Sequence, residues 1–273
     1  MVVFPNAKIN LGLRIKSKRA DGFHNLDTVF YPLPFTDALE IIPQSTPSET
    51  PVIFSSSGLV IPGETHSNLC FKAYHVLKNK FPELPSIQMH LHKNIPMGAG
   101  LGGGSSDGAF TLKLLNEKFK LNIPDDELLE LALSLGSDSP FFIKNTPVHA
   151  TGRGEIMQPT SVDLSNKKIA LVLPGIHVST ALAFKDCPIS STIETCDTIT
   201  KQPVETWKDQ LINDFEATVF PLFPELENIK NTLYKIGAIY SSMSGTGSSV
   251  YGIFNELPDL EGVFNKGYQI VKV

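Results

Sequence analysis

Cysteine is scarce. The 273 residues contain three, Cys70, Cys187 and Cys196, and no two have Cys-x-x-Cys spacing. An odd number without that spacing argues for isolated thiols in a reducing compartment, against a disulfide framework or a structural zinc site. Long apolar runs are missing as well. None reaches the ~18 residues that a membrane helix needs. The N-terminus, MVVFPNAKINLGLRI, lacks the basic segment followed by an apolar stretch that marks a signal peptide. A cytoplasmic protein with no membrane partner is expected. Positive charge is in deficit: 23 Lys and Arg against 28 Asp and Glu give a formal net charge of −5. Proteins that track a nucleic-acid backbone carry a basic surplus, so no nucleic-acid partner is expected. Small nucleotides remain open, because one loop can supply an anion site. There is no internal repeat and no low-complexity tract.

What is present reads as a packed protein. Hydrophobic residues at 41% and charged residues at 19% set aside disorder and coiled coil. The length suggests two domains or one large one. Residues 7–15 alternate like a strand, with Ile9, Leu11, Leu13 and Ile15 on one face and Asn10 and Arg14 on the other. Short strands are predicted at 38–42 and 52–54. Ser67 is positioned to cap a helix carrying Leu69, Ala73, Val76, Leu77 and Phe81 on one stripe. Ile87, Met89 and Leu91 alternate as a half-buried strand. Helices follow at Ser105–Glu117 and Glu127–Leu135, the second stopped by Gly136. Strand signals lie between 146 and 173, and 186–203 reads as irregular. Leu226, Ile229, Leu233 and Ile236 form a helical stripe. Ala238–Met243 and Ser249–Phe254 flank the small-residue turn Ser244–Ser248. Helices and strands mix without regular alternation, which favours an α+β fold. The predicted domains are 1–158 and 159–273.

The most informative segment is Pro96-Met97-Gly98-Ala99-Gly100-Leu101-Gly102-Gly103-Gly104-Ser105-Ser106. Five glycines in seven positions cost chain entropy, and they allow close backbone approach with N–H groups turned inward. A helix starts directly afterwards, so its positive end faces the same place. Three other readings compete with a phosphate site of this kind. A flexible surface loop is disfavoured by the strand before and the helix after. Gly98, Gly100 and Gly103 satisfy Gly-x-Gly-x-x-Gly, but the following strand ending in an acidic residue is missing. A Walker loop needs Gly-Lys-Ser/Thr, and Gly104 is followed by Ser105. What remains is a glycine loop without lysine, whose Ser105 and Ser106 hydroxyls can meet phosphate or help hold Mg²⁺.

This loop resembles the Pro-x-x-x-Gly-Leu-Gly-Ser/Gly-Ser-Ser motif of the GHMP kinases. Most relatives open on Pro-Gly-Lys leading to Gly-Glu-His. This chain has Pro5-Asn6-Ala7-Lys8-Ile9-Asn10-Leu11 and then Arg19-Ala20-Asp21-Gly22-Phe23-His24, which is similar to the branch acting on a cytidine-diphosphate-linked polyol. Gly136–Phe142, Pro174-Gly175 through Phe184, Asn213-Asp214 and Ser244-Gly245-Thr246-Gly247 match in order, nearly to the end of the chain. There are departures. Phe23 stands where the family commonly has tyrosine, Tyr31-Pro32-Leu33-Pro34 is unusual, and the tail after Phe254 is short, so a reduced last helix is expected.

The resemblance implies a two-domain GHMP kinase fold with the active site in the cleft between domains. It also implies a left-handed βαβ unit, ATP and Mg²⁺ as cofactors, and a small-molecule acceptor whose hydroxyl is phosphorylated. Residues 96–106 would bind ATP, with Asn68, Lys72 and Lys93 near adenine and phosphate and Ser106 on the metal. Asp138 would take the hydroxyl proton or orient the hydroxyl, and Lys8 would keep Asp138 ionised. Asn10 would lie near the polyol hydroxyls. Phe23, His24 and Phe184 would form the cytosine pocket, the rings by stacking and the imidazole by reading the base edge. The residues taken alone leave plainer readings open: Asp138 as a helix cap, Lys8 as a solvated strand residue, both Phe as core, 244–248 as a tight hairpin. His90 and His92 could pair on a metal, but an exposed strand surface fits them better without a third ligand. Another family member, of mevalonate or homoserine type, and a non-catalytic nucleotide-binding regulator also stay open. A monomer or weak homodimer is expected.

Overall fold

The structure is a computed structural model that describes residues 1–45 and 50–273. Its strands are β1 (Val2–Val3), β2 (Asn6–Lys18), β3 (His24–Thr36), β4 (Ala38–Pro43), β5 (Val52–Gly58), β6 (Ile87–Lys93), β7 (Val148–Gly152), β8 (Ile156–Pro159), β9 (Lys168–Leu173), β10 (Tyr240–Met243), β11 (Val250–Phe254) and β12 (Gln269–Lys272). Its α-helices are α1 (Leu69–Lys80), α2 (Gly103–Phe119), α3 (Asp125–Leu135), α4 (Phe141–Lys144), α5 (Thr180–Phe184), α6 (Cys196–Thr200), α7 (Glu216–Leu222) and α8 (Pro224–Lys235). The α+β expectation holds. The chain forms two units and visits each more than once. One holds residues 1–7, 34–97 and 102–145, the other 8–33, 98–101 and 146–273.

The first unit is built on a sheet in the order β1-β4-β6-β5. β4 runs antiparallel to β6, with Leu39 opposite Leu91 and Ile41 opposite Met89. β5 runs parallel to β6, and α1 lies on the connection between them, as a parallel pair requires. On β6, Ile87, Met89 and Leu91 are buried as their alternation predicts. His90 and His92 face Ser55 and Ser57 of β5, with ring-nitrogen to hydroxyl distances of 2.8–2.9 Å. α1 is capped one residue later than expected. Ser67 belongs to a preceding 3₁₀ turn and its hydroxyl bonds back to the Glu64 carbonyl at 2.7 Å. The Asn68 side chain instead accepts from the Cys70 amide at 2.8 Å. α2 begins at Gly103, two residues before the prediction, because the loop glycines run on into its first turn. Asp125, Asp126 and Glu127 open α3, where their charge complements the helix dipole.

The second unit contains two sheets, β2-β3-β7-β8 and β10-β11-β9-β12. β2 differs from its prediction. All of Asn6 to Ile15 is buried, so the polar face is covered as well as the apolar one. Lys8 is 3% exposed, which rules out a solvated strand residue. β10 and β11 form the expected hairpin, with Met243 opposite Val250. α8 buries Leu226, Ile229 and Leu233 in a core that also holds Val172, Phe215, Val219 and Phe254. The reduced last helix is not found. The tail returns as β12, antiparallel to β9, with Ile270 opposite Val172. A strand there pairs one edge of β9, which a shortened helix would leave bare.

Asn68→Ala should destabilise the protein by about 1 kcal/mol, the usual worth of a side-chain cap, while Asn68→Asp should cost little. Urea midpoints decide it. Equal losses in both variants would mean the cap contributes nothing.

Candidate active site

The glycine loop runs through both units. The first unit holds Pro96, Met97 and Gly102–Ser106. Gly102 takes φ of 69° as the N-cap of α2, a conformation that favours glycine, and its carbonyl accepts from the Ser106 amide at 2.9 Å. Gly103 is crowded from beneath. A Cβ there would lie 2.9 Å from Ile95 Cγ2 and 3.0 Å from Lys93 Nζ. Below it sits a buried ion cluster. Lys93 Nζ donates to Asp107 Oδ2 at 2.8 Å and to Asp37 Oδ2. Asp37 Oδ1 accepts from the Asn94 and Ile95 amides at 2.6 and 2.8 Å, which holds the strand end that enters the loop. Burial, with the Asp37 charge adding to it, pushes the Asp107 carboxyl up to about 8 despite Lys93. Lys93 is itself raised, since the two carboxylates outweigh its burial. Two buried hydroxyls in this unit, Ser106 Oγ and Ser139 Oγ, have no hydrogen-bond partner among the described residues. A Cβ on Gly136 would stand 3.5 Å from Ser139 Oγ and 3.8 Å from Ser105 Oγ. Asp138 is half-buried in the turn before α4, where its backbone carbonyl accepts from the Phe141 amide at 3.3 Å. No side-chain bond caps α4 at Pro140.

In the second unit three consecutive loop carbonyls are tied down. Ala99 O accepts from the Ser249 amide at 3.2 Å, Gly100 O from Ser244 Oγ at 2.8 Å, and Leu101 O from the Lys8 amide at 3.0 Å. Gly100 has φ of 78°, and a Cβ on it would fall 2.0 Å from the Ser244 carbonyl oxygen, so the position demands glycine. The turn it rests on is braced in turn. Asn213 Nδ2 donates to the Met243 and Gly245 carbonyls, each at 2.8 Å. Glu216 accepts from Ser242 Oγ at 3.0 Å, the Met243 amide at 2.8 Å and Lys230 Nζ at 2.5 Å. The turn is thus both a hairpin connection and a seat for the loop.

The buried polar side chains of β2 also find partners within this unit. Lys8 Nζ lies 4.9 Å from the centre of the Phe30 ring and donates to Asn10 Oδ1 at 2.6 Å. The Asn10 backbone amide donates to Ser244 Oγ at 3.3 Å, and its carbonyl accepts from Tyr251 Oη at 2.8 Å. His24 and Phe184 stack, with ring centres 4.7 Å apart and an interplanar angle of 22°. Phe215 meets Phe184 edge-on at 4.7 Å. Phe23 is 53% exposed, with the Arg153 guanidinium 5.0 Å above its ring.

Comparison with known proteins agrees with these features. Residues 68–145 match the model of the GHMP kinases N-terminal domain, and 205–269 that of the GHMP kinases C-terminal domain. The chain is 50% identical over 260 residues to the 4-diphosphocytidyl-2-C-methyl-D-erythritol kinase of Cytophaga hutchinsonii, covering 95% of this chain and 94% of that one. It is 50% identical over 255 residues to the kinase of the same name from Bacteroides fragilis, covering 93% and 92%. The chain belongs to the GHMP kinase family. A crystal structure of 4-(cytidine 5'-diphospho)-2C-methyl-D-erythritol kinase superposes with a TM-score of 0.76 at 30% identity, covering 93% of this chain and 90% of that one. The mevalonate kinase of Methanococcus jannaschii superposes at 0.65 with 15% identity, over 93% and 90%, and so shares the fold.

GHMP kinases use ATP as phosphate donor, and the loop suits such a ligand. Gly98, Gly100 and Gly102 have positive φ, and the carbonyls of 99–101 are engaged by protein donors. Lys93 requires a correction. It was expected beside ATP, but its side chain is 0% exposed and its ammonium is held by the carboxyl groups of Asp37 and Asp107. It supports the loop from below. Lys8 and Asn10 are brought together in one unit, as are His24 and Phe184. The His24 and Phe184 rings face each other. Asp107, Asp37 and His177, whose ring would lie 3.5 Å from a Cβ on Gly98, escaped the sequence reading. Only Asp107 had a local signal, as an acid in the first turns of a helix that opens on glycines. Among the described residues no group of three His, Cys, Asp or Glu could hold a metal. The unpartnered Ser106 Oγ fits the hydroxyl ligand that Mg²⁺ accepts alongside phosphate and water.

The sign of one pH effect follows from Asp107. Its ordinary value is 3.8 and its folded value about 8, so the folded protein keeps a proton that the unfolded chain releases. The stability this group contributes is full below about 4 and is lost progressively as pH rises toward about 8. Asp107→Asn should flatten that decline in urea titrations between pH 5 and pH 8. A wild-type curve without the decline would contradict the assignment.

Proposed function

We propose that this chain transfers the γ-phosphoryl group of ATP to the 2-hydroxyl of 4-(cytidine 5'-diphospho)-2-C-methyl-D-erythritol. The products are the 2-phosphate and ADP, and the step belongs to the non-mevalonate (methylerythritol phosphate) route to isopentenyl diphosphate. The observation that carries this reading is the 50% identity, over nearly the whole length, to kinases named for that substrate. The mevalonate and homoserine kinases are far less similar and speak for the fold alone. A non-catalytic regulator would be expected to have lost Lys8 or Asp138, and both are present.

Phosphoryl transfer through a loose transition state asks for positioning and charge neutralisation more than covalent chemistry. In this reading residues 96–106 wrap the phosphates, and the α2 N-terminus adds its positive end. Mg²⁺, held with the help of Ser106, supplies charge neutralisation when bound. Asn68 flanks the nucleotide. Asp138 orients the acceptor hydroxyl and receives its proton, and the Lys8 ammonium helps to orient that hydroxyl. Asn10 contacts the polyol. His24 and Phe184 receive the cytosine, with Phe23 at the pocket edge. An ATP-binding and a substrate-side part divide the sequence near 158/159, and Asn10, Phe23 and His24, which precede that division, lie in the unit of residues 8–33, 98–101 and 146–273. Among the described residues no helix is long and apolar enough to cross a membrane. We assign the protein to the cytoplasm as a monomer or weak homodimer, without nucleic-acid or membrane partners.

A coupled ADP-release assay across alcohols tests the reading. Turnover should need the cytidine-linked polyol; equal turnover with mevalonate or homoserine would end it. Asp138→Asn should lower kcat by about 10²- to 10⁴-fold, with KM for ATP little changed. Near-normal turnover would leave Asp138 a structural role only. Phe184→Ala should raise KM for the cytidine-linked substrate about 5- to 150-fold, the worth of one stacked base, and leave KM for ATP nearly unaltered. The opposite pattern would put adenine against Phe184.

A further inference from the structure

The direction of the hydrogen bonds around Asn10 is dictated from the end of its amide opposite Lys8. The Asn10 side-chain amide has a carbonyl end and an NH₂ end of nearly the same shape, and only the carbonyl end attracts an ammonium. Thr28 decides which end faces Lys8. It lies on β3 and is 0% exposed. Its Oγ1 donates to the Gly12 carbonyl at 2.5 Å. A carbonyl can only accept, so the one proton of the Thr28 hydroxyl is committed there. Toward Asn10 the hydroxyl can then only accept, and it does so from Nδ2 at 2.9 Å. The NH₂ end is thereby taken, and Oδ1 is left to accept from Lys8 Nζ at 2.6 Å. The start of this relay is itself fixed by packing. Gly12 has φ of 65° inside β2, and a Cβ on it would strike Leu211 Cδ1 at 2.6 Å. That kink belongs to glycine. A β-branched side chain at 28 adds stiffness, because few χ1 values are open to it.

We propose that Thr28 is a positioning residue for phosphoryl transfer: by fixing the Asn10 amide it places the Lys8 ammonium. The kinetic part of the proposal rests on the kinase reading above, and its structural part does not. Thr28→Val keeps the shape and removes the hydroxyl; Thr28→Ser keeps the hydroxyl and removes the methyl. Thr28→Val should lower kcat about 5- to 100-fold, with KM for ATP within about two-fold of wild type, and Thr28→Ser should restore most of kcat. In protein labelled with ¹⁵N-asparagine, the Asn10 side-chain NH₂ protons should be protected from exchange in wild type and Thr28→Ser and lose protection in Thr28→Val. If Thr28→Val does not fold, Thr28→Ala takes its place in the same comparison. A folded Thr28→Val with kcat within about two-fold of wild type overturns the proposal. So does Thr28→Ser falling as far as Thr28→Val, which would make packing the cause. If wild type does not phosphorylate the cytidine-linked polyol, the kinase reading fails, and unaltered Asn10 protection in Thr28→Val would then refute the relay by itself.

Discussion

The second unit depends on the burial of both faces of β2 from Asn6 to Ile15. A strand covered on one face can leave Lys, Asn and Arg in water. From Asn6 to Ile15 this one cannot. Burying an ammonium or guanidinium without partners costs several kcal/mol per group, so each polar side chain must be met by a built contact. Lys8 is met by Asn10 and the Phe30 ring, and Asn10 by Thr28. Arg14 is met by the Gln210 carbonyl at 2.5 Å and by Asp214 at 3.8 Å. The Asp214 carboxyl is raised by its own burial and also accepts from the Ile15 amide at 2.8 Å. These contacts reach residues nearly two hundred positions away. They turn one strand into the framework on which much of the unit's polar chemistry is hung.

The glycine loop shows a second form of the same economy. Its glycines serve different masters. Gly100 is excluded from bearing a Cβ by the Ser244 carbonyl in one unit, and Gly103 by Ile95 and Lys93 in the other. Tying the carbonyls of 99, 100 and 101 to protein donors fixes the peptide planes, and with them the direction in which the N–H groups point. In the proposed reading a phosphate meets a surface that needs no rearrangement, which is where electrostatic stabilisation of a transition state is most effective. Lys93 is part of this support. A lysine near a phosphate loop invites assignment as a phosphate ligand, yet the buried side chains of Asp37 and Asp107 claim it first.

The cytidine side of the proposal uses softer means. His24 and Phe184 hold each other, and Phe215 holds Phe184 from its edge. Aromatic rings prefer such offset and edge-on contacts, and a supported ring presents a flat face to a base at little entropic cost. Phe23 is different. It is over half exposed and steadied by Arg153, so the missing tyrosine hydroxyl leaves a ring under a cation and not a buried hydrogen-bonding group.

Local pattern carried far in this chain. The alternation of Ile87, Met89 and Leu91, the stripe on α8 and the hairpin around 244–248 were legible because strand and helix periods are properties of neighbouring residues. The family was legible because glycine loops and their spacing are local too, and the absence of Gly-Lys-Ser/Thr or a dinucleotide acid narrowed the choice. Alternation along β2 could not say that its polar face would be covered, since burial depends on what packs against a strand from elsewhere. Helix propensity could not prefer Asn68 to Ser67, because the 3₁₀ turn had already engaged the Ser67 hydroxyl. Composition could not reveal that the tail would return as β12, since a strand's partner is chosen in space. Nor could it show that Lys93 would meet Asp37, 56 residues away, or that Thr28 would direct Asn10, 18 residues away. The sequence by itself determined many of the elements, the loop and the family, through short-range periodicity and motif. Tertiary structure alone decided which polar groups lost their water, and that loss obliges each one to find a partner wherever the fold brings one near.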